Sequence, residues 1–166
     1  MSTKDAVSGP SVVPAILWGG FACGLLDITA AFVVYGQFGA RPIRILQGIA
    51  SGLLGPRSFD GGLTTAFFGL SLHFFIAFSA ATVFVLASRH ITFLVRQTVP
   101  SGILYAIAVY FFMQAVVRLS AARHNTFSLK MTLIGIGIHI FCVGLPIAIA
   151  ARRFACMPSS SKTVAT

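Results

Sequence analysis

Charge is what this chain has least of. Charged residues fill 9% of its 166 positions and only 3 of them are acidic, whereas about a quarter of a soluble domain is charged. With 57% hydrophobic residues, a water-soluble core is excluded. Cysteine is scarce too, 3 in all, with no C-x-x-C pair, which argues against a disulfide framework. Cys23 and Cys142 lie in apolar stretches, where small-residue packing is their plainest role. Nowhere do a nucleophile, a base and an oxyanion donor occur together, which argues against an enzyme acting on a soluble substrate.

What the chain does have is long apolar runs. Pro14 to Tyr35, Gly61 to Ser88, Gln97 to Val117 and Met131 to Ala151 carry no charge except Asp27. Each reaches the roughly 20 residues that span a bilayer at 1.5 Å rise per residue. The expected fold is an all-α integral membrane protein, four transmembrane helices in a bundle. Residues 14–153 form that domain, between an N-terminal tail at 1–13 and a disordered Ser-rich tail at 154–166. The polar N-terminal segment precedes a span too long for a signal-peptide core, so the first helix is expected to remain uncleaved.

The net charge of +9 comes from 12 basic against 3 acidic residues. The basic side chains are scattered singly through the loops, without the interleaved aromatics of a nucleic-acid groove. The partner they imply is the headgroup layer of a lipid bilayer, not nucleic acid. Lys4, Arg89, Arg96, Arg152, Arg153 and Lys162 fall on one side. Arg41, Arg44, Arg57, Arg118, Arg123 and Lys130 fall on the other. The positive-inside rule needs a bias that this tie lacks. Arg152 and Arg153 directly abut a span, which places both termini in the cytoplasm.

Between spans one and two, apolar residues recur at 42, 45/46, 49/50 and 53/54, a helical period. This predicts a short interfacial helix over Ile43 to Leu54, lying in the membrane plane. Gly48 and Gly52 offer the alternative of pressing the segment against a span. Asp60 is placed to cap the second span. Pro100 suits the first turn of the third. Pro146, inside the fourth, leaves the Cys142 carbonyl without its usual donor and predicts a kink.

Three ionisable residues, Asp27, His73 and His139, sit near the middle of three different spans, all displaced by roughly 2 to 4 Å toward the same side. Their helix faces are lined by small residues: Gly20, Cys23 and Gly24 beside Asp27, Ala66 and Gly69 beside His73, Gly135 and Cys142 beside His139. In lipid, small residues mark helix contacts, so the three groups are expected to point inward and toward one another. Tyr110 and Gln114 are the third span's candidates to join them. A segment echo, Gly69 to Phe75 against Gly135 to Phe141, sets both histidines equivalently.

Asp27, ILQGIASGLLG at 45–55, GLSLHFFIAFSAA at 69–81 and GLPIA at 144–148 together resemble an uncharacterised family of small bacterial inner-membrane proteins with four helices. The resemblance runs from about Leu17 to Arg153. Where that family ends its third span in Pro-Leu-Ser, this chain has Arg118, Leu119 and Ser120. No activity comes with it, so function must be read from the polar residues. They admit a proton- or cation-responsive transporter or channel-like homo-oligomer. A bis-His haem b protein would use His73 and His139 as axial ligands, and a metal site would draw on His73, His139, Asp27, Cys23 and Cys142. Alternatively the protein is an accessory subunit of a larger membrane complex, and the polar residues only fasten helices.

Overall fold

The computed structural model describes residues 12–119 and 128–155, so most of both tails, and with it the disorder expected of the C-terminal one, lies outside the described residues. Four helices are long and apolar enough to cross a bilayer: α1 (Val12–Gln37), α3 (Gly62–His90), α5 (Thr98–Leu119) and the fourth span, Leu129–Phe154. A short helix α2 (Pro42–Leu54) lies between the first two spans, and a one-turn α4 (Phe93–Arg96) precedes α5. No strand occurs among the described residues. The chain is an all-α membrane bundle, and a helix stands where one was expected between α1 and α3.

Backbone chemistry sets the joints. α1 stops in a Schellman motif: Gly39 turns left-handed at φ 82°, and the Ala40 N–H donates to the Tyr35 carbonyl at 3.0 Å. Only a residue without Cβ turns that way cheaply. Pro42 then opens α2, where its missing N–H leaves no bond unmade.

α2 is fastened to α3 by backbone contact. A Cβ on Gly69 would overlap the Leu46 carbonyl, so glycine there admits α2 to the surface of α3. Gly48 meets nothing within 4 Å. The span thus supplies a docking glycine, while Gly48 of the G-x-x-x-G spacing takes no part. Gln47 is buried and donates its amide to the Gly62 carbonyl at 3.0 Å. Asp60 makes no side-chain cap on α3. The turn is held instead by the Thr65 hydroxyl donating to the Ser58 carbonyl at 2.6 Å, a bond made across the turn by a residue already inside the helix.

The fourth span is α-helical over Leu129–His139 (α6), opens into a π turn at Ile140–Gly144, and resumes as α7 (Leu145–Ala150). In the π turn the Leu145 N–H donates five residues back, to Ile140. The wide turn ends two residues before Pro146. It is one of the local adjustments by which membrane helices accommodate a proline that cannot donate.

The buried core occupies one end of the bundle. Ala15, Ala77, Ala81, Phe84, Val85 and Ile147 are its centre, with Val95 of α4 closing it. Close approach is allowed by glycines: Gly20 and Gly24 lie over the rings of Phe78 and Phe74, and a Cβ on Gly144 would overlap the Gly102 carbonyl of α5. Tyr105 ties α5 to α3, donating its hydroxyl to the Ala80 carbonyl at 2.7 Å. Buried hydroxyls at this end are satisfied by carbonyls: Ser101 bonds Leu94 at 2.6 Å and Ser88 bonds Val85 at 2.7 Å.

Candidate functional site

Helix bounds fix the depth of the polar residues. Asp27, His73, Tyr110 and His139 each lie about 4 Å from the midpoint of their span, all toward the α2 end of the bundle.

Asp27 is half-buried on α1. Among the described residues its carboxylate has no hydrogen bond and no ion pair. It lies within electrostatic reach of the Cys23 thiol one turn before it, the Cys142 thiol in the π turn, and the Tyr35 hydroxyl two turns on. Cys23 is 3% exposed and Cys142 is half-buried; both are free thiols.

The histidines are occupied elsewhere. His73 Nε2–H donates to the Gly24 carbonyl of α1 at 2.9 Å, and His139 Nδ1–H donates to the Gly135 carbonyl of its own helix at 2.9 Å. A carbonyl only accepts, so the bonded nitrogen of each ring carries a proton; in a neutral ring the other nitrogen, Nδ1 of His73 and Nε2 of His139, is the acceptor. Neither histidine is bonded to Asp27. His73 fastens α3 to α1 one turn short of it, while His139 sets its ring edge-on to Tyr110 at 5.3 Å. Gln114 completes that arm by donating to the Tyr110 hydroxyl at 2.7 Å.

Gly135 is what lets Tyr110 in, since a Cβ there would come within 2.6 Å of the ring. The small-residue face of α6 was legible beforehand; its occupant was not. Tyr35 was missed as well. It lies two turns beyond Asp27 on the same helix, and only the interhelix geometry brings it within reach of Tyr110 as well.

In place of the expected cluster stand two separate arms, His73 on Gly24 and His139 with Tyr110 and Gln114, and a carboxylate bonded to neither. Among the described residues no three His, Cys or Asp groups come together as a metal site, so the set Asp27, His73, His139, Cys23 and Cys142 is not assembled as ligands. For haem b, His73 would have to give up its bond to Gly24 before its Nε2 reached iron. Comparison with models of known protein families, with functionally described proteins and with solved structures gives no match, so the function has to be argued from this site.

Proposed function

We propose that the chain is a proton- or cation-responsive membrane protein, a small transporter or channel-like oligomer, in which Asp27 is the responding group. One observation carries this reading: a half-buried carboxylate near mid-span with no hydrogen bond or ion pair among the described residues. A carboxylate at such depth disfavours insertion by about 2.5 to 3.5 kcal/mol on insertion scales. A residue that only fastened helices would be hydrogen-bonded, as His73 and Tyr105 are. Four spans enclose little volume, which favours a homo-oligomer. Placement in a bacterial inner membrane rests on the family resemblance, and cytoplasmic termini rest on Arg152 and Arg153 at the end of the fourth span.

The test is purified protein in liposomes carrying an internal pH indicator. Asp27→Asn, nearly the same shape, is expected to keep insertion and thermal stability and to abolish the response to an imposed pH step. An inserted, stable Asp27→Asn protein with an unaltered response rejects the reading.

A second reading, an accessory subunit of a larger complex, is favoured by α6, which buries none of its side chains. A partner helix seated on that face would co-purify with the chain in mild detergent.

A further inference from the structure

Burial along the spans stops at a common level. On α1, Ala15, Gly19, Gly20, Cys23 and Gly24 are buried before Asp27, and after it only Ile28. On α5, Thr98, Ser101, Gly102, Ala106 and Tyr110 are buried, and beyond Tyr110 no described side chain is. On the fourth span the order reverses with chain direction: α6 buries nothing, and burial begins at Val143. α3 is the exception that fits, because Ala66 and Gly69 at this end lie against α2. Above the polar layer the helices interlock through glycine and alanine. Below it, among the described residues, α5 and α6 bury no side chain fully and α1 buries only Ile28.

The open end also holds the polar groups. From the spans packed against α1, the titratable groups in the layer of Asp27 are His73, Tyr110 and His139, while Cys142 and, on α1 itself, Cys23 and Tyr35 are within electrostatic reach of it. The nearest cation of α2, Arg44, is turned away and donates to the Phe59 carbonyl at 3.2 Å. No cation therefore neutralises Asp27 among the described residues. Among the described residues no three His, Cys, Asp or Glu side chains are assembled around a point where a metal ion could sit. A proton needs one carboxylate and a file of water, and Tyr110, Gln114 and Tyr35 offer that file hydroxyl and amide partners on the open side. The opposite end offers it nothing: its buried hydroxyls are committed to carbonyls, and its core is alanine, valine and phenylalanine.

We infer that Asp27 stands at the closed end of a one-sided vestibule and exchanges protons only with the membrane face that carries α2, the α4 end being a dry seal. This rests on the proposed function and narrows it, naming the proton as the ion and the α2 face as its source.

Dicyclohexylcarbodiimide crosses membranes and reacts with protonated carboxyl groups, so its rate at Asp27 reports protonation without requiring any transport assay. Spheroplasts and everted vesicles of an expression strain expose opposite faces of the membrane. Asp60→Cys, exposed beside α2, identifies the α2 face by its reaction with an impermeant maleimide. The external pH is then lowered while the internal pH is clamped, and the Asp27 peptide is quantified by mass spectrometry, with Asp27→Asn as the blank. The expected result is labelling that accelerates only in the preparation exposing the α2 face, by up to about tenfold per pH unit, the steepest slope a one-proton titration allows. Labelling that follows the pH of the opposite face, or of both faces equally, overturns the one-sided vestibule while leaving Asp27 a titrating group. Labelling that ignores pH in both preparations overturns the proposed function itself.

Discussion

The two ends of this bundle are made from the same kind of residue and are built differently. At the α4 end, glycine meets backbone or ring: Gly144 against Gly102, Gly20 against Phe78. At the α2 end, Leu133 is 61% exposed and Phe111 56% exposed, on spans whose fully buried residues lie in their other halves or at the polar layer. In a membrane the difference is not one of hydrophobicity, since lipid tails are as apolar as leucine. It lies in shape. Small residues let backbones approach and gain close contact, whereas large side chains turned outward add no contact between the helices that carry them.

The sharpest way to break the contrast is to spoil the approach itself. Gly144→Val places side-chain atoms on a backbone carbonyl that cannot move aside. It is expected to cost about 3 kcal/mol or more, at the upper end of overpacking effects, read as loss of the folded fraction in denaturant titrations in detergent. Gly137→Val, whose Cβ meets nothing within 4 Å, is the matched control and should leave the midpoint near wild type.

Truncation should sharpen the same comparison. Ile147→Ala, at a site 0% exposed, is expected to destabilise by about 2 to 5 kcal/mol. Leu133→Ala on the open side should stay within about 0.5 kcal/mol, as surface changes do. Equal costs for the two would mean that the open end is closed by something these helices do not supply.

The smallest effects separate fastening from function. Tyr105→Phe removes a bond to the Ala80 carbonyl and should cost about 0.6 kcal/mol, the average for an interhelical bond in a membrane, without changing proton exchange at Asp27. Tyr110→Phe keeps the ring against Gly135 and His139 but deletes the hydroxyl that Gln114 engages. It should slow carbodiimide labelling of Asp27 severalfold with little change in thermal stability. A reversed pattern would place the proton path through Tyr105.

Much of the fold was legible because lipid imposes it. Uncharged runs marked the four spans to within a few residues at each end, and the period of apolar residues marked α2. Pro146 announced a disturbance in the fourth span. Which disturbance was not legible, because a proline's lost bond can be met by a bend or by a wider turn, and neighbouring helices decide. Helix-to-helix contacts were the least readable. Gly48 has the spacing of a contact motif with Gly52 yet meets nothing, while Gly69 and Leu46 make a backbone contact. Depth came correctly from counting residues, whereas partners did not. Asp27 and the histidines share a layer, but each histidine is claimed by a nearer carbonyl.

The π turn at Ile140–Gly144 also bears on how such a span can change over generations. A wide turn is equivalent to one residue inserted into a continuous α-helix, and each residue of an α-helix corresponds to about 100° of rotation and 1.5 Å of length. Deleting one residue there would swing α6 as a block by about that angle while α7 stayed locked on Gly102. His139 and Gly135 would leave Tyr110 together, and a different face of α6 would be presented to Asp27. Single-residue gain or loss at this turn is thus a discrete dial for what the carboxylate faces, adjustable without redesigning any helix contact in the core.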